Sequence, residues 1–92
     1  MPHKHWIAEY DGHTIRVTNT WLGGAKLYID GECRDLSNDK FALSAGRPVL
    51  SARLIDGDTE SPLVKVYAKA IFTVRMRICV NGKQVAGDLP AA

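Results

Sequence analysis

The sequence predicts an all-β fold, a small antiparallel β-sandwich of about seven or eight strands built from hairpins. Three observations predict it. Apolar and polar residues alternate at period two along much of the chain, the spacing of a half-buried strand and not of a helix. Four Asx-Gly pairs, Asp11-Gly12, Asp30-Gly31, Asp56-Gly57 and Asn81-Gly82, punctuate that alternation with the residue types that tight turns need. The 92 residues, 46% of them hydrophobic, suffice for one core and argue against disorder.

The elements follow in order. His5 to Tyr10 is a weak strand ending at Asp11-Gly12. Thr14 to Thr18 sets Ile15 and Val17 on one side, and Lys26 to Asp30 does the same with Leu27 and Ile29. Asp30-Gly31 then turns the chain into Glu32 to Asp35. Asp35 to Lys40 is polar and fits a loop or a single helical turn. Phe41 to Ser44 and Val49 to Ile55 are weak strands. Residues 63–69 oppose Val64, Val66 and Ala68 to Lys65, Tyr67 and Lys69. Residues 72–80 oppose Phe72, Val74, Met76, Ile78 and Val80 to Thr73, Arg75, Arg77 and Cys79. A helix would scatter those five apolar residues around its cylinder, so this segment is a strand with one wet face. Asn81-Gly82 leads to Lys83 to Ala86. The expected core is Ile15, Val17, Leu27, Ile29, Leu50, Leu54, Val64, Val66, Val74, Met76, Ile78 and Val80, with Trp6 as a cap.

One domain spans 1–92, with an ordered part at 4–86 and a tail at 87–92. The formal net charge of +2 neither demands a nucleic-acid partner nor excludes one. Two cysteines, Cys33 and Cys79, are fewer than a secreted domain of this size usually carries. No apolar run follows Met1-Pro2-His3-Lys4-His5, and none reaches the roughly 20 residues of a membrane span. The expectation is a cytoplasmic protein with reduced thiols.

The segment Leu27-Tyr28-Ile29-Asp30-Gly31-Glu32 echoes Ile78-Cys79-Val80-Asn81-Gly82-Lys83. Each follows an alternating strand. Two readings stand open: two equivalent hairpins, one per sheet, or the plain likeness that any two Asx-Gly hairpins share; hairpins in unlike surroundings would remove the first.

The chemistry-bearing residues are sparse. His3, His5 and His13 could supply neutral nitrogen ligands to a metal, but His3 and His5 stand at a terminus, so no metal site is expected. A two-residue turn sets Cys33 opposite Tyr28 and Cys79 opposite Gln84. Arg75 and Arg77 share a face with Cys79 and could activate that thiol, yet no histidine has a reason to approach it. Asp56, Asp58 and Glu60 crowd one loop too short for a calcium loop. No phosphate-binding glycine motif exists, and no serine sits on a nucleophile turn. The chain is therefore expected to be non-enzymatic, without cofactor or metal.

A basic face remains. Lys65, Tyr67 and Lys69 line one side of their strand, Arg75 and Arg77 the same side of the next, and Arg53 can join them. One tyrosine among cations is the minimum of a platform for single-stranded nucleic acid, but repeated aromatics for stacking are missing. Trp21, next to Leu22-Gly23-Gly24, either closes one end of the sandwich or offers a contact to a partner.

The runs Trp6-Ile7-Ala8-Glu9-Tyr10-Asp11-Gly12-His13-Thr14-Ile15 and Gly24-Ala25-Lys26-Leu27-Tyr28-Ile29-Asp30-Gly31 resemble strands of the Fas apoptosis inhibitory molecule fold. Phe41-Ala42-Leu43-Ser44 and Ile78-Cys79-Val80-Asn81-Gly82-Lys83 fit the same order. Asn19-Thr20-Trp21 before the Tyr-Ile-Asp-Gly turn is similar to small uncharacterised bacterial β-proteins. The resemblance implies a compact sandwich that works through protein contacts. It carries over no catalytic residues, and this chain is close to half the length of full family members, so the apoptotic role is not transferred.

These readings converge on a protein-interaction or structural module. Its contact candidates are Trp21, Lys65, Tyr67, Lys69, Arg75 and Arg77. The expected partner is a protein, with a homodimer through an open sheet edge as one form. Weak nucleic-acid binding through the basic face is the alternative, and no membrane contact is expected.

Overall fold

A computed structural model describes residues 3–20, 24–37, 48–70 and 74–89. Eight strands fill them: β1 (His3–Tyr10), β2 (His13–Thr20), β3 (Gly24–Ile29), β4 (Glu32–Ser37), β5 (Pro48–Arg53), β6 (Leu63–Ala70), β7 (Val74–Val80) and β8 (Lys83–Gly87). They form two four-stranded antiparallel sheets, β1-β2-β3-β4 and β5-β6-β7-β8, each a simple meander. The all-β expectation holds. The sequence-predicted strand at Phe41 to Ser44 and the Trp21 loop lie outside the described residues.

Three turns are made as their sequences require. Asp11, Asp30 and Asn81 take φ of 50°, 52° and 50°, each followed by a glycine at positive φ. Two successive positive-φ residues match the right-handed twist of the strands they join. The fourth pair differs. Only Gly57 is at positive φ there, because residues 55–61 form a longer loop. Ser61 Oγ organises it, donating to Asp58 O (2.7 Å) and accepting from the Ile55 amide (3.1 Å).

Period two then sorts the side chains. Ile15, Val17, Leu27, Leu50, Val64, Val66, Met76, Ile78 and Val80 are fully buried between the sheets, each worth roughly 1.5–3 kcal/mol of burial. Ile29 and Leu54 join them, and Trp6 closes the set at 9% exposure. Every core residue expected from sequence is buried, except that the Val74 side chain is outside what is described. Ala8, Ala25 and Ala68 complete the cluster.

The two halves match position by position. Ile15 pairs Ile29 and Val17 pairs Leu27 in the first sheet; Val64 pairs Val80 and Val66 pairs Ile78 in the second. Register also slips at the same place, between Leu27/Tyr28 in one hairpin and Ile78/Cys79 in the other. The extra residue is Arg34 in β4 and Val85 in β8. Even the turn side chains agree: Asp30 Oδ1 accepts from the Thr14 amide and Asn81 Oδ1 from the Leu63 amide, both at 2.9 Å. The paired hairpins thus share register, turn geometry and inward residues, but not what surrounds their outward residues: Lys26 is exposed and Tyr28 half-buried, whereas the matching Arg77 and Cys79 are buried.

Side chains close both seams between the sheets. At one, Asp35 Oδ2 accepts from the Ser51 amide (2.9 Å), and the Arg34 guanidinium donates to Leu54 O (3.5 Å) and Asp56 (3.3 Å). At the other, Asp88 Oδ1 accepts from the Trp6 indole and the Met76 amide, both at 3.0 Å. Leu89 is 7% exposed, and its amide donates to Met76 O. Residues 87–89 are therefore tied down, contrary to the tail expected from 87 onward. Likewise β4 runs through Ser37 where a loop or helical turn was expected from Asp35, because pairing with Ala25 and Lys26 carries the ladder on.

Candidate functional site

Antiparallel register decides which residues share the outer face of the second sheet. Lys65 pairs Cys79, Tyr67 pairs Arg77 and Lys69 pairs Arg75. Ser51 and Arg53 flank this set from β5. The contact candidates Lys65, Tyr67, Lys69, Arg75 and Arg77 therefore do meet on one surface, with Arg53 at its corner. Among the described residues, no carboxylate stands in these rows. Lys69 and Arg75 are exposed and Lys65 is half-buried. Among the described residues, neither lysine nor Arg75 makes an ion pair.

Arg77 departs from the expectation of an open cation. It is 7% exposed, and its guanidinium carbon lies 4.7 Å from the Tyr67 ring centroid, the distance of a cation–π contact. The ring is half-buried, so it offers less stacking surface than a lone tyrosine would. Cys79 lies opposite Gln84, and Cys33 opposite Tyr28, as the turns dictate. Cys79 is 6% exposed, which is the setting of a passive thiol and not of an accessible nucleophile.

The outer face of the first sheet has a different chemistry. One row reads Ile7, Arg16, Tyr28, Cys33 and the next His5, Thr18, Lys26, Leu36. Ile7 and Leu36 are 53% and 55% exposed. The Arg16 guanidinium carbon lies 4.9 Å from the Tyr28 ring centroid. His5 and Cys33 were singled out from sequence for other chemistry; Ile7, Arg16, Lys26 and Leu36 were not. The signal was available for Ile7: alternation that buries Trp6 and Ala8 must turn Ile7 out.

The turns Asp11-Gly12, Asp30-Gly31 and Asn81-Gly82 and the 55–61 loop gather at one end of the sandwich. Seven of the ten acidic residues, Glu9, Asp11, Asp30, Glu32, Asp56, Asp58 and Glu60, stand at or beside them. A shallow concavity of about 270 Å³ opens there between His13, Asp30, Glu32, Arg34, Leu54 and Asp56. His13 Nδ1 lies 2.6 Å from Asp30 Oδ2. This hydrogen bond, reinforced by the Thr14 amide, holds the Asp30 carboxyl below its ordinary value. Arg34 is held by Glu32 (3.6 Å) and Asp56 (3.3 Å). Among the described residues the pair His13–Asp30 has no hydroxyl or thiol partner: Ser61 is engaged within its own loop, Thr14 Oγ1 donates to Glu9 and Cys33 Sγ faces Asp35 O.

The three histidines do not converge. His3 and His5 belong to the start of β1, whereas His13 pairs with Tyr10 at its far end. No cluster among the described residues has the ligands for a metal ion. Asp56 is spent on Arg34 and Asp58 Oδ1 on the Glu60 amide. No described helix is long and apolar enough to cross a membrane. No protein-family model, curated protein or solved structure matches the chain.

Proposed function

We propose that the protein is a non-enzymatic interaction module that holds an acidic surface of a partner protein against the outer face of its second sheet. One observation carries this reading. Lys65, Lys69 and Arg75 share a face that bears no described carboxylate, and none of them has an ion pair among the described residues. Cations left unpaired on a rigid sheet steer and orient an anionic partner at little reorganisation cost. The resemblance to the Fas apoptosis inhibitory molecule fold points the same way, toward protein contacts. Two unpaired thiols support a reducing, cytoplasmic setting.

Affinity capture from lysate with the wild-type chain and with Lys69→Glu/Arg75→Glu tests the proposal. Both residues are exposed, so the variant keeps its fold. An acidic protein retained by the wild type and lost by the variant is the expected result. Unchanged capture would end the reading.

Weak binding of single-stranded nucleic acid is the second reading, favoured by Tyr67 among the cations. It ranks lower because Arg77 already covers the ring. Anisotropy of a labelled single-stranded oligonucleotide at low salt separates the two. A homodimer through a sheet edge is a subordinate proposal. It would have to displace Asp35 from the Ser51 amide or Asp88 from Trp6, and sedimentation over a concentration series tests it.

A further inference from the structure

We propose that the outer face of the first sheet is a second docking surface, and that its occupant is an extended acidic segment of a partner protein with apolar residues four apart. Ile7 and Leu36 lie on the two edge strands of the sheet, with Arg16, Tyr28 and Lys26 between them. Both aliphatics are more than half exposed, and no other large aliphatic on a described strand is exposed to that degree. They stand three strand spacings and one outward row apart, roughly 16 Å at 4.8 Å per strand.

The centre of this span is cationic. Arg16 and Lys26 are exposed and make no ion pair among the described residues. The guanidinium of Arg16 rests on the Tyr28 ring. Stacking fixes its plane and leaves its edge free for a carboxylate fork. Among the described residues the one carboxylate on the same face, Glu9, lies toward the turn end and accepts from Thr14 Oγ1 at 2.9 Å. Anchor, cation, anchor is thus the order presented to a partner.

An extended segment matches that order by its own period. It advances about 3.3 Å per residue and sends alternate side chains to one side. Residues i, i+2 and i+4 therefore face the sheet together over about 13 Å, which side-chain reach extends to the Ile7–Leu36 span. An apolar residue at each end meets Ile7 and Leu36, and a central glutamate or aspartate meets Arg16 and Lys26. A helix needs about ten residues for the same span and would place no fixed acidic residue at its middle.

The test is a titration of the labelled whole chain, read by amide NMR shifts, with a short peptide of two leucines separated by three glutamates. Shifts confined to β1–β4 are expected, with binding roughly tenfold weaker for Ile7→Ser, for Leu36→Ser and for Arg16→Gln/Lys26→Gln. All four residues are exposed, so the variant spectra otherwise match the wild type. A peptide with glutamine for glutamate should bind at least tenfold more weakly. No shift at about millimolar peptide, or shifts that survive the Ile7 and Leu36 variants, overturns the proposal. So does equal binding of the glutamine peptide, or an oligonucleotide that gives the same shifts with the same variant dependence. Shifts confined to β5–β8 also overturn it while leaving the cationic-face reading in place; conversely, loss of that reading in lysate capture leaves the β1–β4 result unaffected.

Discussion

The β1–β4 and β5–β8 halves share strand order, register, turn chemistry and the position of the slip in their second hairpins. Their outer faces and seams do not agree. Arg16 and Tyr28 of the first half correspond by register to Lys65 and Cys79 of the second, and Ile7 corresponds to Ser51. At the slip, Arg34 bridges to Leu54 O and to Asp56 of the 55–61 loop, whereas Val85 packs against the core. The skeleton is therefore set by features common to both halves, the inward aliphatics and the Asx-Gly turns. The outward positions differ between the halves and can vary without disturbing the core.

The sharpest break in the equivalence is at Gly87, which corresponds to Leu36. A Cβ on Gly87 would lie 2.1 Å from Met76 O, and its φ is +114°. That approach lets the chain pass β7 and carry Asp88 back to Trp6. Gly87→Leu should cost more than about 4 kcal/mol, through backbone clash and forbidden φ together. Leu36→Gly should cost at most about 1 kcal/mol, the price of extra chain entropy on an edge strand. Urea midpoints of the two variants check this. Similar losses would mean that the ends of β4 and β8 play the same part.

Leu27 and Ile78 are the next test, since both are fully buried at matching positions. Leu27→Ala and Ile78→Ala should each cost about 3 kcal/mol and agree within about 1 kcal/mol. Urea denaturation measures both. A much smaller loss in one sheet would show that the core is carried unequally despite its common register.

Much of this frame was legible in the residues. Asp30-Gly31 and Asn81-Gly82 specify positive φ, which specifies hairpin register, which specifies that Cys33 faces Tyr28. The burial of Arg77 and Cys79 was not legible, because period two assigns a face and not what covers it. The polar seam of β4 was hidden by the extra residue Arg34, which resets the alternation. Asp88 looked like part of a tail because its partners, Trp6 and Met76, are remote in sequence. Of the candidate surface, the grouping of Lys65, Tyr67, Lys69, Arg75 and Arg77 followed from alternation alone. That Lys65, Lys69 and Arg75 form no ion pair among the described residues needed three dimensions.

The two turns also differ in what titrates. Asn81→Ala removes the acceptor of the Leu63 amide and puts alanine at positive φ, a loss of about 1–2 kcal/mol that should not depend on pH. Asp30 does the same task as a carboxylate. Its pKa is lowered first by the His13 hydrogen bond and then by the Thr14 amide. The sign follows: ionised Asp30 supports the fold above the ordinary carboxyl range near 4, and the support is lost as pH falls through the lower folded value. Asp88 adds the same sign. Burial alone would raise its carboxyl, but the Met76 amide, the Trp6 indole and Lys4 together hold it low. Melting curves from pH 6 to about pH 2 should therefore fall on the acid side, and Asp30→Asn should flatten that fall. An unchanged acid limb would remove Asp30 from the account.

The smallest expected effect separates the cysteines, which the turns send to opposite columns of their hairpins. Cys33 sits on edge strand β4 and is exposed; Cys79 sits on inner strand β7 and is buried. A thiol reagent at neutral pH should label Cys33 at the rate of a free thiol. Cys79 should label only through opening of the second sheet, and so at least about a hundredfold more slowly. Cys33→Ser should change stability by less than about 0.5 kcal/mol, leaving one slow thiol as a clean reporter. If urea well below the unfolding midpoint speeds Cys79 labelling while Leu27→Ala does not, the second sheet opens on its own. If Leu27→Ala speeds it as much as Ile78→Ala, the matched halves open as one cooperative unit.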